Sequence, residues 1–302
     1  MLFIPETLAP LTTLQREGYA VSTFAAGSIP QTADLPKGAL RILFLNIMPE
    51  KERTELDIAR MMAAQRCDVA LLPMKIEGQT YKTTAQEYVE QNYIDYGDYA
   101  ACGPYDGLII TGAPVEHMPF EEVRYWSRLC RIMDDSAALA ASTLFICWGA
   151  QAGLYHFYGV EKHGLDAKKF GIFREDLLPA PAAITLEGIL PQGFPMPHSR
   201  HTAIDEAQAR QAPLHTLAQS EATGTAIMAT ADGSRVFITG HLEYAADTLD
   251  REYHRDLAKN LPITMPEHYY KDDDPAKGID FAWNDSARRF YGYWLGLCRR
   301  RR

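Results

Sequence analysis

The sequence predicts an α/β protein: a doubly wound, mostly parallel sheet with helices on both faces. Three observations predict it. Short apolar runs rich in β-branched residues, such as Leu40-Arg41-Ile42-Leu43-Phe44-Leu45-Asn46-Ile47, read as strands buried on both sides. Stretches with helical spacing, roughly 9 to 19 residues long, alternate with these runs, which is the pattern of βαβ units. Three of the runs end in turn-forming or reactive groups, at the strand ends where ligands gather in such sheets.

Taken in order, residues 1 to 38 carry Pro5, Pro10, Pro30 and Pro36 between short amphipathic pieces. They read as an N-terminal arm packed on the body of a single domain, 1–302. The strand from Leu40 is followed by a helix over 52–64, a strand over 67–73, and a helix capped by Thr84 that runs to about Asn92. Asp106 to Gly112 is the next strand, ending in a Gly-Ala-Pro turn, and Glu121 to Leu139 is a helix. Residues 162 to 222 lack a periodic apolar pattern and read as an irregular pocket-forming segment. Thr225 to Thr230 and Ser234 to Thr239, divided by Asp232-Gly233, form a hairpin. Asp247 opens a helix to about Asn260, and Trp283 to Leu297 closes the chain as an amphipathic helix.

Composition excludes several classes. With 302 residues, 47% hydrophobic and 23% charged, the chain has an ordinary globular balance. A formal charge of −9 opposes nucleic-acid binding, which needs a basic stripe; Arg299-Arg300-Arg301-Arg302 is the lone basic run. The five cysteines, Cys67, Cys102, Cys130, Cys147 and Cys298, form no CxxC pair, so neither a disulfide framework nor a metal site is expected. No apolar run is long enough to span a membrane, and the first residues lack a basic region followed by a cleavable apolar stretch. The expectation is a soluble cytoplasmic protein.

The chain is organised around Thr143-Leu144-Phe145-Ile146-Cys147-Trp148-Gly149-Ala150-Gln151-Ala152-Gly153-Leu154. An apolar strand runs into helix-forming residues, and Cys147 stands at the junction. A side chain at such a turn projects above the sheet while the following N–H groups point at what it attacks, and a helix N-terminus lowers a thiol's pKa. On this stretch alone Cys147 is equally a nucleophile or a buried, inert core cysteine. A second strand end carries His241 and Glu243. Together the three residues suit acyl transfer: His241 takes the thiol proton, Glu243 holds the imidazole, and Cys147 attacks a carbonyl. The Trp148 N–H, with another from the loop around Pro114 to Glu116, is then the expected oxyanion donor.

Phe145-Ile146-Cys147-Trp148-Gly149-Ala150-Gln151-Ala152 with the His-x-Glu at 241 and 243 resembles the class I glutamine amidotransferase-like fold, a flavodoxin-like architecture. A longer match is to the homoserine O-acyltransferases of methionine biosynthesis. Leu45-Asn46-Ile47-Met48-Pro49, Thr111-Gly112-Ala113-Pro114, Pro197-His198-Ser199-Arg200 and Glu252-Tyr253-His254-Arg255-Asp256 carry it. The resemblance implies a ping-pong reaction in which acyl-CoA acylates Cys147 and the γ-hydroxyl of L-homoserine, deprotonated by His241, takes the acyl group. It implies that Lys168, Ser199 and Arg255 hold homoserine, that no cofactor beyond the acyl-CoA co-substrate is needed, and that the enzyme is a homodimer. A guanidinium suits the carboxylate of a zwitterionic amino acid, which agrees for Arg255.

Two departures stand out. Leu242 replaces a common proline between the histidine and the glutamate, predicting looser spacing of that pair. Arg174-Glu175-Asp176 replaces a more usual Glu-His. In this family the donor is set beside the Thr-Gly-Ala-Pro turn, where Glu116 stands. Its carboxylate opposes the distal carboxylate of a succinyl group: two like charges 4 Å apart cost about 1 kcal/mol in water and about 4 at intermediate dielectric. Acetyl-CoA is therefore the expected donor and succinyl-CoA the alternative. An amidase of the same fold, acylation of serine, hydrolysis of the thioester and a non-catalytic binding protein are the remaining readings.

Overall fold

Leu40-Arg41-Ile42-Leu43-Phe44-Leu45 is buried at every position because helices cover both faces of the sheet to which it belongs. The computed structural model describes residues 1–300, so Arg301 and Arg302 of the basic run lie outside the described residues. The chain begins with Leu2–Pro5 (β1), Pro10–Arg16 (α1) and Val21–Phe24 (β2). It continues through Leu40–Leu45 (β3), Lys51–Ala63 (α2), Val69–Lys75 (β4), Gln86–Asn92 (α3), Ile94–Asp95 (β5) and Tyr96–Ala101 (α4). Tyr105–Ile110 (β6), Trp126–Leu139 (α5), Ala140–Ile146 (β7) and Trp148–Tyr158 (α6) lead to the centre of the molecule. Lys162–Leu177 (β8), Phe194–Ile204 (β9), Glu206–Gln211 (α7), His215–Ser220 (β10), Gly224–Ala229 (β11) and Arg235–Ile238 (β12) follow. Thr248–Ala258 (α8) and Asn284–Arg300 (α9) complete it.

The strands lie in the order β2-β1-β4-β3-β6-β7-β12-β11-β10-β8-β9, with β5 added beside β4. From β2 to β12 the pairing is parallel; from β12 to β9 it is antiparallel. Alternate residues of each central strand point to opposite faces. Ile42, Phe44, Leu144 and Ile146 join one apolar core, while Leu43, Leu45, Phe145 and Phe237 join the other. Helix α9 covers the first face, where Trp294 Nε1 donates to Ser142 Oγ at 3.2 Å. No helix among the described residues is long and apolar enough to cross a membrane.

Several elements differ from the sequence expectation. Residues 162–222 are irregular only in part, over 178–193: β8 and β9 pair antiparallel from Lys162↔Ile204 to Glu175↔Phe194, with a register shift between Gly164 and Lys169. Their apolar pattern is masked because polar side chains are satisfied inside, with His198 Nε2 3.1 Å from Glu175 Oε1 and Arg200 donating to the carbonyls of Thr202 and Thr223. Thr84 does not cap α3. Ala85 stands at that position, and Thr84 Oγ1 donates to Pro49 O at 2.9 Å. Helix α5 starts at Trp126 because a 3-10 turn over Phe120–Glu122 precedes it. In residues 1–38 the prolines conceal β1 and β2, which pair parallel with each other and extend the sheet beyond β4.

Candidate active site

β7 and β12 are parallel neighbours in register, with Ile146 opposite Ile238, so their C-terminal ends lie side by side. Cys147 follows the first and His241 the second. The Cys147 N–H donates to Ile238 O at 2.8 Å, and the His241 N–H donates to Pro197 O at 2.8 Å. Both side chains are therefore held by main chain on each side of the junction.

Cys147 has φ 52° and ψ −117°, a conformation L-residues rarely adopt. Such strain costs about 1–3 kcal/mol and persists only where the surroundings fix it. Here Gly149 fixes it: a Cβ there would lie 2.5 Å from Thr111 O, so α6 packs directly on the main chain after β6. Gly112 lies in contact with the junction, its hypothetical Cβ 3.4 Å from Cys147 Cβ and 3.6 Å from Trp148 N. Of the loop expected to add an oxyanion donor, the Val115 N–H is already committed to Ala113 O.

Cys147, His241 and Glu243 are all buried. Cys147 and His241 both line the same cavity. His241 Nδ1 lies 2.6 Å from Glu243 Oε1, and the imidazole stacks on Tyr244 at 4.0 Å. Burial pushes the imidazole pKa down, but the electrostatic influence of Cys147 and Glu243 outweighs it and raises His241 well above its usual value. The expected loosening at Leu242 is absent: that side chain is fully buried in the core and the histidine and glutamate remain in contact. Glu175, from the other departure, is also buried and accepts from Thr223 Oγ1 at 2.8 Å.

The cavity above Cys147 has a volume of about 740 Å³, and Glu116, Lys168, Ser199, His241 and Arg255 also line it. Lys168, Ser199 and Arg255 converge on Glu252, which the sequence motif contains but for which it suggested no role. Glu252 Oε1 lies 2.7 Å from Lys168 Nζ and 3.6 Å from Arg255 Nη2, and Glu252 Oε2 accepts from Ser199 Oγ at 2.9 Å. Arg255 stands three residues beyond Glu252, one helical turn on, which was the available signal. Asp57, on α2, was missed entirely. It is buried, lines the same cavity, and is pushed up to about 8 by burial, with the charge of Glu243 adding to it. The Glu116 carboxylate accepts the His201 N–H at 2.6 Å and is thereby held at the cavity wall. Among the described residues, no group of three or more His, Cys, Asp and Glu is placed to hold a metal ion.

A strained cysteine and a histidine of raised pKa in one cavity, with cationic and anionic groups on its walls, have the chemistry for acyl transfer. Similarity to known proteins agrees. Solved structures share the fold: a putative GMP synthase component from Thermoplasma acidophilum aligns with TM-score 0.51 at 14% identity, over 86% of this chain and 94% of that one. A glutamine amidotransferase from Methylobacillus flagellatus aligns with TM-score 0.51 at 13% identity, over 87% and 93%. These likenesses establish a class I glutamine amidotransferase-like fold. Sequence relatives are nearer. A homoserine O-acetyltransferase of Parabacteroides distasonis is 46% identical over 257 residues, 85% of this chain and 82% of that one. One of Phocaeicola vulgatus is 40% identical over 300 residues, 97% and 94%. The family model described as homoserine O-succinyltransferase matches residues 2–301, so the chain belongs to that family of acyltransferases.

Proposed function

We propose that this chain is a homoserine O-acetyltransferase that makes O-acetyl-L-homoserine for methionine biosynthesis by a ping-pong reaction. The observation that carries the reading is the meeting, in one cavity, of Cys147 and His241 with the polar cluster around Glu252 and with the anchored carboxylate of Glu116. The Cys147 thiolate attacks the acetyl carbonyl, and the Trp148 N–H stabilises the oxyanion, at roughly 3 kcal/mol per such donor. The C–S bond to CoA breaks and the CoA sulfur leaves with the proton of His241. Neutral His241, held by Glu243, then takes the proton of the homoserine γ-hydroxyl. The alkoxide attacks the thioester and Cys147 is released.

Homoserine enters as a zwitterion. Arg255 binds its carboxylate and Glu252 accepts its ammonium, while Lys168 and Ser199 hold Glu252 in position. No cofactor other than the co-substrate takes part. The family description names succinyl transfer, but Glu116 favours the acetyl donor, in agreement with the names of the relatives above. We assign the reaction to a cytoplasmic homodimer on the family resemblance. Two variants test the roles by mass spectrometry of the acyl-enzyme. Cys147→Ala is expected to lose all acyl-enzyme, whereas Arg255→Ala should keep it and slow its discharge by homoserine at least about a hundredfold. Turnover by Cys147→Ala would refute the nucleophile.

A further inference from the structure

Glu116 lies on the loop between β6 and α5, and its carboxylate reaches a neighbouring strand. The His201 N–H on β9 donates to Oε2 at 2.6 Å. The Thr202 hydroxyl, one residue on, has a single proton for two acceptors, Gln151 Oε1 at 2.9 Å and Glu116 Oε2 at 3.4 Å. The His201 N–H is therefore the carboxylate's main anchor. That anchor works only while the main chain of the loop stays in place.

Around Glu116 little in the loop holds itself. The main-chain hydrogen bonds there run from Val115 N to Ala113 O and from Met118 N to Val115 O, while Glu122 N to Pro119 O and Val123 N to Phe120 O belong to the 3-10 turn further on. A residue far along the chain adds a grip on the carbonyls beside Glu116. Lys162, the first of β8, donates from Nζ to Glu116 O at 2.5 Å and to Met118 O at 2.9 Å, with the ammonium 5.0 Å from the centre of the Phe120 ring. One ammonium thus grips the loop on both sides of His117. Lys162 is partly buried; this lowers its pKa, and the charge of Glu116 opposes the shift. Its four-carbon stem carries a compact charge that fits two carbonyls at once.

We propose that Lys162 is a positioning residue for acyl-donor selectivity, fixing the main chain on which Glu116 presents its carboxylate to the acyl pocket. Thr202 and, through it, Gln151 are secondary braces on the carboxylate itself. Gln151 ties the arrangement to the nucleophile, because its N–H donates to Cys147 O at 3.1 Å. A loop freed from Lys162 lets the carboxylate swing out of the acyl pocket, and the penalty on a succinyl group falls. The inference rests on the reading of Glu116 as the donor-selecting residue.

The test is kcat/KM for acetyl-CoA and for succinyl-CoA in the wild type, Lys162→Met, Lys162→Arg, Glu116→Ala and the double variant Glu116→Ala/Lys162→Met. Lys162→Met should lower the acetyl-to-succinyl ratio by about tenfold with KM for homoserine unchanged, and Lys162→Arg should recover much of the loss. In the Glu116→Ala background Lys162→Met should change the ratio by less than about twofold, since residues acting as a unit are not additive. Thr202→Val, a milder change, should lower the ratio about twofold to threefold if Lys162→Met does not accumulate. An unchanged ratio in Lys162→Met, or an equal drop with and without Glu116, overturns the proposal. A wild type that prefers succinyl-CoA overturns the donor reading instead, and the Lys162 role then stands or falls on the ratio shift and its dependence on Glu116.

Discussion

Burial works against a charged imidazole at His241, but Cys147 and Glu243 beside it outweigh burial and raise its pKa well above the usual value. Glu243 gives one oxygen to His241, and its other oxygen is buried without a partner among the described residues. A second carboxyl nearby therefore bears on the same charge balance. Asp57 is surrounded by Glu243 and Asp247, which favour its neutral form, and by Arg60 and Arg251, which oppose it; burial dominates and lifts it to about 8. The folded state thus holds a proton that the unfolded chain releases near pH 4, so between about pH 4 and 8 the unfolded state binds fewer protons and stability falls as pH rises. Asp57→Asn removes that loss. Urea unfolding should find the variant more stabilised relative to wild type at pH 8 than at pH 5; an equal difference at the two pH values would show that Asp57 ionises normally.

Helix α6 owes its position to what it lacks. Ala for Gly in a helix interior normally gains about 1 kcal/mol, yet at Gly149 the new methyl would meet the carbonyls of Thr111 and Ile110 at 2.5 and 2.8 Å. Main chain in the centre of a sheet cannot yield, and overpacking of this kind costs about 1–3 kcal/mol, so the clash wins. Gly296 on α9 has nothing within 4 Å of the same point. Gly149→Ala should lower the urea midpoint and Gly296→Ala raise it; the same sign for both would mean that α6 does not press on the sheet as described. The parallel core was legible in the sequence because its strands are continuous apolar runs, and Cys147 and His241 were legible because each follows such a run. β8 and β9 were not, because His198, Glu175 and Arg200 satisfy one another inside the fold, where no periodicity reports them. Glu252 and Asp57 were hidden for a related reason: charged residues on α8 and α2 look like solvated faces until the neighbouring elements close over them.

Across the whole molecule, the site draws on α2, the loop after β6, the β7–α6 junction, β8, β9 and α8, so no part of the chain contains it alone. Parallel β3, β6, β7 and β12 bring their C-terminal ends to one edge, and the antiparallel extension through β8 and β9 folds the Lys168 and Ser199 walls over that edge. Cys147 and His241 are brought together by the shared direction of the parallel strands, and the Lys168 and Ser199 walls by its reversal. On this mechanism the edge carries an acetyl group on Cys147 between two half-reactions. Intact-protein mass spectrometry after separate incubation with acetyl-CoA and succinyl-CoA, followed by homoserine, observes that state itself. The expected result is an acetyl adduct on Cys147 that homoserine discharges, and little adduct from succinyl-CoA; a stable succinyl adduct with no acetyl adduct would contradict the role of Glu116, and no adduct from either donor would contradict the acyl-enzyme itself.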